Sequence, residues 1–223
     1  MKFSKETLTK LKNFAEVNSN LLIKSGSNLS TVSPAKNVAV ETKVAESFDF
    51  GDGSFGIYDL NEFMGVLSLF ENPELQFSGK FVEINEGSTS IKYFSADESV
   101  LVFPNKSITF PEPDIQFDLD ENVISSIRKV AGVLKTLDVS FVGDKESIVM
   151  RLGDRKNNTA SSYSAVVGTT DKEFSINLKV DNLKLLPGNY SVAVAKKKIS
   201  RFVTGDVTYY IAVEADSTFG EGF

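Results

Sequence analysis

The chain has 223 residues, enough for one large domain or two small ones with real cores. Its 30 acids outweigh 24 Lys plus Arg, giving −6 at pH 7, so any contact with nucleic acid requires positive charge segregated on one surface. With no cysteine and no histidine, it has no disulfide, thiolate nucleophile or zinc–thiolate site, and it lacks the usual general base and the commonest metal ligand.

The opening stretch, MKFSKETLTKLKNF, has no apolar signal-peptide core, and no run approaches the roughly 18 apolar residues of a membrane span, so a soluble intracellular protein is expected. Ser4–Val17 reads as an amphipathic helix capped by Ser4, with Leu8, Leu11, Phe14 and Ala15 as its buried stripe. Lys5 and Lys12 share one flank, and Lys10 is expected to face outward. From Leu21 to Phe50 the pattern changes to short strands at Leu21–Ile23, Val38–Val44 and Phe48–Phe50, with a turn at Gly26–Asn28. Asp49–Gly56, DFGDGSFG, reads as a Gly-rich loop. It contains the letters of the kinase Asp-Phe-Gly motif without a catalytic-loop partner, and it lacks EF-hand spacing.

Asp59–Phe70 is a second helix, with Asp59 and Glu62 at capping-box spacing and no basic residue, so packing is its expected role. Strands follow at Glu74–Ser78, Phe81–Glu86 and Ser90–Ser95. Val100–Phe117 holds Pro104, Pro111 and Pro113 and reads as an extended crossover between two halves. Asp118–Lys135 is a third helix, expected to start at Asp118. Its apolar face is Val123, Ile124, Ile127, Val130, Ala131 and Leu134, and after Glu121 it carries only the cations Arg128, Lys129 and Lys135. Such a helix is either a solvated surface helix or one that faces a polyanion. Strands are expected at Leu137–Gly143, Ser147–Leu152, Ser161–Val167 and Glu173–Val180, then one helical turn at Asp181–Leu186. Strands at Tyr190–Ala195 and Thr208–Val213 flank a Lys196–Lys198 hairpin tip, and Asp216–Phe223 is a Gly-rich acidic tail. The order of helix, strands, short helix and strands thus occurs twice.

Several stretches, spread over the whole length, resemble the DNA polymerase sliding clamp of T-even-type tailed bacteriophages. They are LKNFAEVNSNLLIKSGS at Leu11–Ser27, IYDLNEFMGVLSL at Ile57–Leu69, FPNKSITFP at Phe103–Pro111, LLPGNYSV at Leu185–Val192 and YYIAVEADST at Tyr209–Thr218. The closing pattern is also similar to the end of the cellular ring clamp. The resemblance implies an α+β chain of two similar clamp (processivity-fold) domains, residues 1–107 and 118–223, joined by a connector at 108–117. Helices would line a homotrimeric ring, with antiparallel sheets outside.

It further implies a duplex held through the ring, a replicative DNA polymerase tethered to it and an ATP-dependent clamp loader. Late-transcription factors are a further expected partner, and the setting is the cytoplasm of an infected bacterial host. Lys5, Lys10, Lys12, Arg128, Lys129 and Lys135 are the expected DNA-facing groups, with Lys179 and Lys184 added from the short turn. Ile108, Phe110, Tyr210, Ala212, Val213 and Ala215 would frame a groove for apolar partner peptides. Ser90, Ile91 and Tyr93 of one chain would meet Tyr163, Ala165 and Val166 of the next. No catalytic residue, metal site or cofactor is expected, and no P-loop occurs, so the chain is not the loading ATPase. The competing reading is a β-rich viral structural protein that does not encircle DNA.

Overall fold

The computed structural model describes residues 1–157 and 159–220 and divides into two units, Met1–Ser107 and Ile108–Phe223.

The first unit opens with α1 (Lys5–Val17), where the Ser4 hydroxyl accepts the Thr7 N–H at 3.1 Å. β1 (Leu21–Lys24) pairs with β4 (Ser54–Ile57), and β2 (Gly26–Val32) pairs with β3 (Val38–Phe48), all antiparallel. Two expectations are corrected here. The turn expected at Gly26–Asn28 is the start of β2; Gly26 (φ +106°) supplies the irregular step while the strand continues through it. The C-terminal half of the expected Gly-rich loop is β4, with Phe55 and Ile57 fully buried. Gly56 is required by close approach: a Cβ there would sit 2.4 Å from the Ala96 carbonyl oxygen and 2.8 Å from Leu101. In α2 (Leu60–Leu67) the Asp59 carboxylate accepts the amides of Asn61 and Glu62. β5 (Glu74–Phe77), β6 (Phe81–Glu86) and β7 (Thr89–Phe94) form an antiparallel sheet with β7 on an edge. Phe3, Phe48, Phe50, Phe55 and Phe77 pack edge to face and stacked, Phe55 and Phe77 at 5.1 Å.

The second unit begins with β8 (Ile115–Leu119), which occupies the end of the expected connector. Asp118 is therefore a strand residue opposite Ser191, and the cap of α3 (Glu121–Leu134) is Asp120, which accepts the Val123 N–H at 2.8 Å. β9 (Asp138–Asp144), β10 (Ser147–Leu152), β11 (Tyr163–Thr169) and β12 (Glu173–Lys179) follow, and a 3-10 turn at Val180–Asn182 replaces the longer helical turn expected there. β13 (Tyr190–Ala195), β14 (Ile199–Thr204) and β15 (Val207–Ala212) then pair in succession, with β8 on the far side of β13. The Lys196–Lys198 tip thus leads into β14, a strand the sequence pattern hides. One of its two core-facing positions is Ser200, fully buried and donating to the Ile211 carbonyl at 2.9 Å. β16 (Thr218–Phe219) adds to β12, completing the order β11-β10-β9-β12-β16 with β11 on an edge. Residues 221–223 of the expected tail lie outside the described residues. Val139, Phe141, Ile148, Met150 and Ile176 are fully buried beneath this sheet. Each such side chain contributes roughly 1.5–3 kcal/mol by leaving water.

Candidate nucleic-acid interface and partner groove

The polar side of each long helix was singled out for its cations, and helix geometry decides which of them are available. On α1, Lys5 and Lys12 lie opposite the buried Thr7, Leu11 and Phe14 and are exposed. Lys10 is a correction: it is 5% exposed, because at 100° per residue it falls only about 60° from Thr7, inside the buried stripe. Its ammonium donates to the Lys43 carbonyl at 2.9 Å and meets Glu6 at 2.6 Å. Beside it Glu46, also buried, accepts the Ser4 amide and the Thr7 hydroxyl, each at 2.5 Å. Burial alone would raise the Glu46 carboxyl; the hydrogen bonds from Thr7 and Ser4 outweigh it and hold the group below the usual carboxylate range.

On α3, Arg128, Lys129 and Lys135 are all exposed, but they are not equivalent. Lys129 points away from the buried Ile124, Ile127 and Ala131, beside Ser125 and Gly132. Lys135 is the left-handed C-cap residue (φ +53°), its charge beside the carbonyl end of the helix, where a cation is favoured. Arg128 lies on the flank of the apolar face, and its Nη2 donates to the carbonyls of Leu183 (3.3 Å) and Leu185 (2.8 Å). Tyr209 accepts the Leu186 amide at 3.1 Å and Tyr190 donates to the Leu186 carbonyl at 2.7 Å, so residues 183–186 are held from two sides. Lys184, on this segment, is half-buried. Lys179 is bound to Asp138 at 2.7 Å, a hydrogen bond that raises its ammonium pKa and offsets its charge.

The expected partner groove sits in the second unit. Phe110 is half-buried, with its ring 6.3 Å from that of Tyr210. The Arg201 guanidinium lies 4.7 Å over the same Phe110 ring, a contact missed in the sequence because β14 was missed. Ile108 and Ala212 are half-buried, Ala215 is exposed, and Val213 and Tyr210 are buried, so the accessible wall is formed by Phe110, Ile108, Ala212 and Ala215.

The two strands expected to join neighbouring chains are edge strands of their own sheets. On β7, Ile91 and Tyr93 turn inward, Tyr93 against Phe63 at 5.1 Å, while Ser90 and Phe94 are exposed. On β11, Val166 is 71% exposed, Ala165 is half-buried, and Tyr163 joins Val130, Val133 and Leu134 of α3 around an apolar groove of about 320 Å³. Among the described residues no cluster of acids is arranged to hold a metal ion, and no helix is long and apolar enough to cross a membrane.

The chain is α+β, with antiparallel sheets and few helices, the architecture of the clamp class. The fold matches that of the PCNA of A. fulgidus, solved with the C-terminal region of FEN-1 bound: TM-score 0.71 at 16% identity, covering 97% of this chain and 98% of that one. Residues 116–215 match the family model for the gp45 sliding clamp, C terminal. The sliding clamp of Enterobacteria phage T4 is 31% identical over 98% of this chain and 99% of its own length, and that of Escherichia phage RB69 is 30% identical over the same shares. The chain belongs to the sliding clamp family, and its function is that of a DNA sliding clamp, a polymerase processivity factor.

Proposed function

We propose that copies of this chain close head to tail into a three-membered ring around duplex DNA and act without catalysing any step. The supporting observation is the sorting of charge. In a chain of net charge −6, the exposed faces of α1 and α3 carry Lys5, Lys12, Lys129 and Lys135; Glu6 and Glu16 dilute this charge on α1, whereas α3 has no acid beyond Glu121. Lysine contacts to phosphate are sequence-independent, and long side chains pass from one phosphate to the next without fixing a register. Arg128 adds charge at this face while tethered to residues 183–186. Lys10 is withdrawn from the DNA-facing set, and Lys179 and Lys184 are secondary to it. Retention is topological: the duplex leaves only when the ring opens, which calls for an ATP-dependent loader as partner.

β7 of one copy extends the sheet at β11 of the next, and Phe94 of β7 together with Val133, Tyr163 and Val166 supplies apolar area for that contact. The Phe110 wall receives the apolar end of a replicative polymerase and, in turn, late-transcription partners, in the cytoplasm of an infected bacterium. The test is primer extension with a cognate polymerase and loader, using the K5A/K12A/K129A/K135A variant. The expected result is a ring of unchanged mass with shortened polymerase runs. Undiminished run length at physiological salt would remove these lysines from the DNA path.

A further inference from the structure

Arg201 stands at the centre of the face that β13, β14 and β15 turn away from their core side chains. In register it lies between Ala193 and Tyr210, with Gln116 of β8 one strand further on. The other positions of these three strands on this face are Ser191, Ala195, Ile199, Val203, Thr208 and Ala212, so the face holds one cation and no acid. The Phe110 ring lies against it, 6.3 Å from the Tyr210 ring and 4.7 Å from the Arg201 guanidinium. Among the described residues, Arg201 has no hydrogen-bond or ion-pair partner, and its Nε–H is enclosed with nothing to donate to. Its terminal nitrogens are not enclosed, so they keep their contact with water. By contrast Arg155 and Lys179, half-buried in the same unit, both meet Asp138.

An unneutralised guanidinium is tolerated while water reaches it. A partner segment laid over Ile108, Phe110 and Ala212 displaces that water and leaves the charge under an apolar cover, at a cost that a counter-charge offsets. Stacking on Phe110 orients the guanidinium plane, and its open edge presents two parallel N–H donors, the fork that a carboxylate matches. A lysine or arginine at that point of the segment is repelled, so one group selects for one sign of charge and against the other. A side-chain carboxylate suits the site better than a chain's terminal carboxylate, because the segment then continues across the wall on both sides of Phe110. A phosphate backbone suits it poorly, since Ile108, Ala212 and Ala215 offer only apolar side chains.

We propose that Arg201 is a specificity determinant of the Phe110 wall: it pairs with one Asp or Glu side chain of the bound segment, set beside the apolar residue that packs on Phe110. The inference rests on the assignment of this wall as the partner site.

The test is calorimetry of the full-length protein and of R201Q with a synthetic peptide of the cognate polymerase's C-terminal end, amidated at its own terminus. Further peptides carry Asn or Gln in place of each Asp and Glu in turn. With the parent protein, one such replacement is expected to weaken binding at least fivefold. With R201Q, that neutral peptide and the acidic one are expected to bind alike. R201K, which keeps the charge without the fork, is expected to fall between, and both variants are checked by unchanged mass and melting temperature. Equal losses of the acidic and neutral peptides in R201Q would make Arg201 a support for Phe110 and overturn the assignment. So would binding that vanishes on amidation alone, which points to a terminal carboxylate, or displacement of the peptide by a short DNA duplex. Binding that is lost in F110A but indifferent to every acid replacement would overturn the charge selection alone. Binding that F110A leaves intact would show that the wall itself is not the site.

Discussion

Lys10 and Lys12 stand two positions apart on one helix and have opposite environments. Lys10 spends its charge inside the first unit, on Glu6 and the Lys43 carbonyl, whereas Lys12 is exposed. Lys10→Ala is expected to lower stability by about 1–3 kcal/mol in urea unfolding, and Lys12→Ala to stay within about 0.5 kcal/mol. The same contrast holds on α3. Arg128→Ala loses charge-assisted hydrogen bonds to Leu183 and Leu185, at a cost of about 1.5–3 kcal/mol, while Lys129→Ala leaves the midpoint in place. DNA retention should fall for both, so the pair separates a structural from a purely electrostatic loss. Glu46 makes stability depend on pH. Its carboxyl titrates lower in the folded chain than in the unfolded one, so its contribution is complete above the ordinary Glu pKa, about 4.3, and disappears as pH falls through the lowered value. Glu46→Gln is expected to reduce stability at pH 7 and flatten the acid limb of a stability–pH profile; an unaltered limb would assign the acid sensitivity to other carboxylates.

At the scale of elements, periodicity made α1, α2 and α3 legible, along with most strands, because each buries one regular face. What escaped it was local. Gly26 and Gly56 read as loop residues, whereas the first carries a bulge and the second lies where two segments nearly touch. Gly56→Ala is expected to cost about 1–3 kcal/mol and to lower the melting temperature, since Ala96 backbone stands in the way. Ser200 hid β14, and with β14 went Arg201 on Phe110, part of the proposed partner wall. Phe110→Ala is expected to weaken a polymerase C-terminal peptide at least tenfold in calorimetry, as loss of a central aromatic anchor does. Lys10 was misjudged for a similar reason: a cation at a buried helical position is recognisable only once its acceptor is in view. The exposure of Lys5, Lys12 and Lys129 followed from helical spacing, while the tether on Arg128 depends on carbonyls 55 and 57 residues further along.

For the whole molecule, the proposed DNA path along the helix cations is what reconciles an acidic chain with the function of its family. A Val166→Pro variant removes a donor from β11 and bends the strand, so sedimentation is expected to show trimers for the parent chain and monomers for the variant. An intact trimer would mean that β11 is not the joining edge. Among the sheet margins of the described residues, the proposed ring joins β7 of the first unit to β11 of the second. Two unlike margins joined head to tail carry no intrinsic stop: the angle between successive copies alone decides whether the series meets its own beginning or runs on as a fibre. Small changes where strand meets strand would therefore alter copy number before they alter folding, and dilution would unlock the assembly while leaving every subunit native.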